Sequence, residues 1–171
     1  FWGTDTGEET YRDMKVTEQF ARSMAPADAL SPDTLLAYEM NGQPLPVDHG
    51  FPLRLIAPGW YGVANVKWLS QIHVQEEQYL GKFQARWYRT LRGETIDGEV
   101  KWKETAITHM QLKSFIARVT RSGNEYKVLA VVLNDGTPIK SVEVRVDDGP
   151  WRPATMDPAT TGKYSWKLFT Y

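Results

Sequence analysis

The chain of 171 residues carries 20 basic and 21 acidic side chains and is 42% hydrophobic, enough apolar material for one large domain or two small ones with a real core. It has no cysteine, which excludes disulfides and thiolate metal sites, and His49, His73 and His109 lie too far apart for a local zinc motif, so no metal ligand is assigned within it. A net charge of −1 gives no basis for a nucleic-acid surface, and no apolar run reaches the roughly 18 residues that would cross a bilayer.

Charge is uneven along the chain. Residues 1–48 carry three basic and nine acidic side chains, whereas residues 49–103 carry eight basic and five acidic, so the middle of the sequence suits an anionic ligand. The opening "FWGTDTGEETYRD" is an apolar pair and a turn, with neither the basic start nor the apolar stretch of a signal peptide. In "ALSPDTLLAYEMNG" the pattern predicts a short helix. Ser31 serves as N-cap, Pro32 takes the first helical position, Leu35, Leu36 and Met40 share an apolar side, and Gly42 closes the segment.

"PLRLIAPG" and "VKWLSQIHV" read as short buried strands bracketing a turn marked by Pro58-Gly59 and Gly62. Alternation in the second puts Val66, Trp68, Ser70, Ile72 and Val74 on one face. Residues 75–105 lose this periodicity and read as a long connection, which in a compact domain is more often functional than idle. From Met110 the chain turns to short strands, "QLKSFIARVT", "EYKVLAVVLN", "IKSVEVRVDD" and "YSWKLFTY", joined by turns rich in Gly, Asn and Asp. These indicate a β-sandwich, unfinished because about seven strands make an immunoglobulin-like one. Its apolar stretch "YKVLAVVL" is the expected edge for pairing with a second copy.

Two side chains stand out in the middle segment. Arg54 offers a planar fork of donors that matches phosphate oxygens, and Lys67 a compact positive charge, so together they could hold a phosphate or a polyanionic cofactor tail. Ordinary salt bridging is the alternative for each. His49 taken alone reads as a core histidine, and Trp60 and Tyr61 as packing, because aromatics dominate cores.

The run "LLAYEMNGQPLPVDHGFPLRLIAPGWYGVANVKWL", residues 35–69, closely resembles the signature of the sulfite oxidase family of molybdopterin-dependent oxidoreductases. "FWGTD" resembles that family's Phe-x-Gly-x-Asp segment, and "VEVRVDDGPWRPA" resembles its dimerisation domain. The resemblance covers almost the whole chain. It implies an α+β, mostly β fold, with the C-terminal part of a molybdopterin-binding domain over 1–105 and a partial immunoglobulin-like dimerisation domain over 106–171.

Carried over by position, the resemblance makes Asp5, His49, Arg54 and the segment Asn65, Val66, Lys67 contacts to molybdenum-molybdopterin. Gly59 and Gly62 would let main-chain amides approach it. "KFQARWYRT" aligns with the segment that supplies an active-site tyrosine, here Tyr88, although Trp87 stands where relatives usually carry Asp. Arg86 and Arg89 become candidate guides for an anion. The implied parent oxidises a small oxyanion such as sulfite, passes electrons to an acceptor such as a cytochrome, forms a homodimer, and resides in a periplasm or mitochondrial intermembrane space. The family's molybdenum-ligating cysteine lies upstream of the Phe-x-Gly-x-Asp segment and is missing, so the chain is expected to be an excised piece, inactive alone. A sulfoxide or other oxide reductase, and a non-catalytic β-rich dimerisation module, remain as alternative readings.

Overall fold

Trp2–Tyr11 (β1) and Met14–Ala21 (β2) pair as an antiparallel hairpin, and Leu69–Gln71 (β7) adds to the free side of β1. The register jumps between Trp2, opposite Ala21, and Thr6, opposite Gln19, so residues 3–5 bulge outward from the ladder. Bulges of this kind re-aim side chains, and here the bulge contains Asp5. The computed structural model describes all 171 residues and divides into two compact units, Phe1–Thr108 and His109–Tyr171.

The helix expected after Ser31 does not form. A single turn of helix, Pro26–Ala29 (α1), precedes it, and the leucines instead enter Leu35–Ala37 (β3), followed by Glu39–Met40 (β4) and Gln43–Pro44 (β5). Asn41 and Gly42 take φ values of 53° and 73°, the conformation of a two-residue hairpin turn for which Asn-Gly is the strongest short signal. Gly42 is therefore a turn residue between strands rather than a helix stop.

Arg54–Ile56 (β6) pairs with β3, not with β7. The expected alternating strand over residues 66–74 is confined to β7, and Ile72 and Val74 are exposed. Residues 75–105 are not a connection: they hold Lys82–Ala85 (α2) and a hairpin of Arg89–Ile96 (β8) with Glu99–Ala106 (β9), turned at Asp97-Gly98. The first unit's core packs Ala57, Trp60 and Ala64 with Met24 against them, beside fully buried Leu55 and Val66. Trp60 is thus a packing residue.

The second unit is built on a sheet of Lys113–Ser122 (β10), Glu125–Leu133 (β11), Thr155–Met156 (β14) and Lys167–Thr170 (β15), in the order β10-β11-β15-β14. Glu143–Val144 (β12) and Arg152–Pro153 (β13) form a separate pair. Ala130, Val132 and Phe169 pack with Ile139, Val142 and Ala154. The stretch "YKVLAVVL" is not an edge. It is β11, hydrogen-bonded on both sides, so the open edges are β10 and β14, and β10 exposes Phe115, Ile116 and Val119. The mostly β class expected from the sequence is the one observed.

Candidate functional site

Val47–His49 forms one turn of 3-10 helix between Pro46 and Gly50. Each of its three carbonyls receives a side-chain donor from further along the chain. Trp68 Nε1 donates to the Val47 carbonyl at 2.8 Å, Lys67 Nζ to that of Asp48 at 2.9 Å, and Arg54 Nη1 to that of His49 at 2.9 Å. The guanidinium and the ammonium therefore stand on neighbouring peptide groups. Lys67 also lies 4.3 Å from the centroid of the Trp68 ring, an attraction that holds its stem in place.

Gly50 explains how the two can be so close. Its φ is 108°, and a methyl group there would lie 3.0 Å from Lys67 Cβ and 3.1 Å from both Lys67 Cα and Arg54 Cβ. Only glycine fits between them. Gly3 plays the same part on the other side: a Cβ there would collide with the Asp5 carboxylate and come within 2.8 Å of the Lys67 carbonyl. Thr4 N donates to the Trp68 carbonyl at 2.9 Å, so the bulge of β1 lays Asp5 beside Lys67. Of the glycines expected to permit close approach, Gly62 does not crowd this place: added bulk there would meet nothing within 4 Å.

Asn65 works inward. Its Oδ1 accepts from Ala57 N at 2.6 Å and its amide reaches the Tyr61 and Gly62 carbonyls at 3.4 Å, tying down the loop before Lys67. Val66 is 1% exposed and its carbonyl accepts from Leu55 N at 2.8 Å. In the 65–67 segment, then, the side chains of Asn65 and Val66 turn inward, and Lys67 is the side chain that reaches the 47–49 turn. Burial holds the Arg54 guanidinium below the ordinary arginine value, and its Nε is buried with no hydrogen-bond partner.

Tyr88 belongs to a second cluster. It is 47% exposed, sits at a φ of 54°, and stacks at a tilt 6.5 Å from Phe83, which in turn touches Phe20 at 4.9 Å. Of the two arginines expected to guide an anion, Arg89 is engaged with Glu104 at 2.5 Å and with the Gln84 carbonyl at 3.2 Å. Arg86 lies over Tyr11 at 5.7 Å.

Residues 1–83 match the family described as oxidoreductase molybdopterin binding domain. Mitochondrial sulfite oxidase of Homo sapiens is 34% identical over 151 residues, covering 81% of this chain and 27% of that protein. Sulfite oxidase of Arabidopsis thaliana is 31% identical over 158 residues, covering 80% of this chain and 39% of that protein. The chain belongs to the sulfite oxidase family of molybdopterin-dependent oxidoreductases. It spans about a quarter to two fifths of the length of these relatives. A solved structure of the sulfane dehydrogenase SoxCD from Paracoccus pantotrophus has the same fold, with a TM-score of 0.63 at 22% identity over 97% of this chain and 41% of that one. Over 75 residues, 43% of this chain and 8% of the other, it is 43% identical to a nitrate reductase of Ulva prolifera.

The family's cofactor fits the residues present in this sulfite oxidase family chain. The orphaned Arg54 Nε and the two cations that close packing at Gly50 brings together suit a polyanionic group whose oxygens would satisfy both. No group of three or more His, Asp or Glu side chains gathers to hold a metal ion. Sequence reasoning found Arg54 and Lys67 but missed Gly50, although "DHG" was in view. It also missed Arg22, Ser23 and Gln84, for which nothing local gave a signal.

Proposed function

We propose that the chain is part of a molybdenum-dependent oxidoreductase that oxidises sulfite to sulfate. In this reading Arg54, Lys67, Asp5, His49 and the main chain of 65–67 hold its molybdopterin. The observation that carries the reading is the convergence of Arg54 and Lys67 on adjacent carbonyls of one turn, with Gly50 between their stems. Two cations side by side repel one another and gain most from a shared anion. A phosphate tail supplies one, and the half-buried Arg54 makes the attraction stronger than it would be in water.

Asp5, exposed on the bulge, accepts hydrogen bonds from pterin N–H groups, and exposed His49 donates one from a ring nitrogen. When bound, the molybdenum cofactor supplies the two-electron redox and oxygen-transfer chemistry. The overall reaction adds one oxygen from water to sulfite and releases two electrons and two protons, the electrons passing to an acceptor such as a cytochrome. Tyr88, 47% exposed, would donate a hydrogen bond to the reacting oxygen. The second unit is the start of a dimerisation domain.

A reductase acting on a sulfoxide or another oxide is the second reading, favoured by Trp87 before Tyr88 and by the likeness to a nitrate reductase. Assaying the cofactor-loaded full-length protein decides between them. Sulfite with oxidised cytochrome c should be turned over, and Tyr88→Phe should lower kcat/KM by about 10²-fold. Turnover of methionine sulfoxide with an electron donor, and none of sulfite, would overturn the sulfite assignment.

A further inference from the structure

Arg22 directly follows β2 and is only 2% exposed, a rare place for a guanidinium. No carboxylate pairs with it: Glu9 and Glu18 are engaged by Lys82, and Glu104 by Arg89. Its donors go to main-chain carbonyls instead: Nη1 to Phe83, and Nη2 to Ile107 at 2.6 Å. Its Nε is buried and unpartnered. A buried cation held only by neutral acceptors is costly, and an apolar residue of similar volume would often serve stability as well.

Both carbonyls belong to segments that hold Tyr88. Phe83 carries the ring against which Tyr88 packs. Ile107, whose carbonyl accepts from Arg22, donates its own N–H to the Tyr88 carbonyl at 2.9 Å. The next residue, Ser23, extends the grip: its N–H donates to Gln84 Oε1 at 2.8 Å and Gln84 Nε2 donates to Ser23 Oγ at 2.6 Å. Gln84 is also 2% exposed. Tyr88 needs such restraint, because a bulky residue at a φ of 54° persists only where its surroundings over-determine it.

We propose that Arg22 is a positioning residue for Tyr88, clamping from inside the core the two segments that fix the tyrosine. The proposal rests on the reading that Tyr88 meets the reacting oxygen. Burial lowers the proton affinity of the Arg22 guanidinium. Arg22 itself is too deeply buried to touch substrate.

The test is a double-mutant cycle of Arg22→Gln and Tyr88→Phe in the cofactor-loaded full-length protein. It is read as kcat and KM for sulfite, and as deuterium uptake over residues 105–108. Arg22→Gln should lower kcat about tenfold or more while KM stays within about twofold, since misplacement of a positioned group falls on the chemical step. Uptake at the Ile107 amide should rise. In the Tyr88→Phe background the same change should lower kcat by less than about twofold, because the two residues act as a unit.

Equal losses in both backgrounds, or unchanged exchange at Ile107, would make Arg22 a general structural residue and overturn the proposal alone. Unchanged kcat in Tyr88→Phe would remove the reading of Tyr88, and the role of Arg22 with it. If Arg22→Gln does not fold, Arg22→Lys, which keeps the charge and loses the fork, carries the same cycle with the same deciding outcomes.

Discussion

Gly50 sets how closely Arg54 and Lys67 approach one another. Its left-handed φ and the three atoms within 3.0–3.1 Å of an added methyl mean that Gly50→Ala meets both backbone strain and a clash with Lys67 main chain. We expect a loss of about 2 kcal/mol or more in denaturant unfolding, with weakened cofactor retention. A change within about 0.5 kcal/mol would show that the turn does not need the close approach. Arg54 is different, because its bond to His49 is good at 2.9 Å but that to Asn65 is long at 3.4 Å, and its charge is partly desolvated. These oppose one another, so its contribution to the site is electrostatic more than structural. At this scale Arg54 and Lys67 were legible because their residue types are informative alone. Arg22 was not, since "FARSM" reads as a routine surface arginine and only the fold buries it.

Elements were legible where turn chemistry and periodicity agreed. β10 and β11 were found because Gly123 and Asn124 separate two long apolar-rich runs. The β1-β2 hairpin was missed because its turn is Arg12-Asp13, with Arg12 at a φ of 55°, a conformation that a non-glycine residue seldom announces. The β8-β9 hairpin did carry an Asp-Gly signal, but Leu91, Ile96, Val100 and Trp102 are all exposed, and a ribbon wet on both faces has no apolar alternation to read.

The loop after β11 offers a test of its own. Asp135 Oδ1 accepts from Thr137 N at 3.0 Å, and hydrogen bonds from Thr137, side chain first and main chain second, hold the Asp135 carboxyl below its ordinary value of 3.8. A lowered carboxyl favours the folded state fully above the ordinary value, and that benefit drains away as pH falls through the folded one. Asp135→Asn should therefore flatten the acid side of the thermal stability profile between about pH 5 and pH 3. Parallel profiles for the two proteins would show that the carboxylate contributes nothing there.

For the molecule as a whole, the first unit carries every residue assigned to the cofactor and to Tyr88, and the second carries none. Family membership was legible because the motif run is long. The resemblance assigned Asp5, His49, Arg54 and residues 65–67 to one ligand, but the means by which the fold gathers them, a register bulge, a one-turn helix and two crowded glycines, was not legible. The account depends on Arg54 and Lys67 jointly holding a polyanion. The most direct measurement is molybdenum and pterin per chain in the purified full-length protein, comparing native sequence, Arg54→Ala, Lys67→Ala and the double variant. Each single change should lower occupancy at least about tenfold under limiting cofactor, the scale of one lost charge-assisted contact, and the double variant should be nearly empty while retaining its native circular dichroism. Full occupancy in a folded double variant would contradict the account.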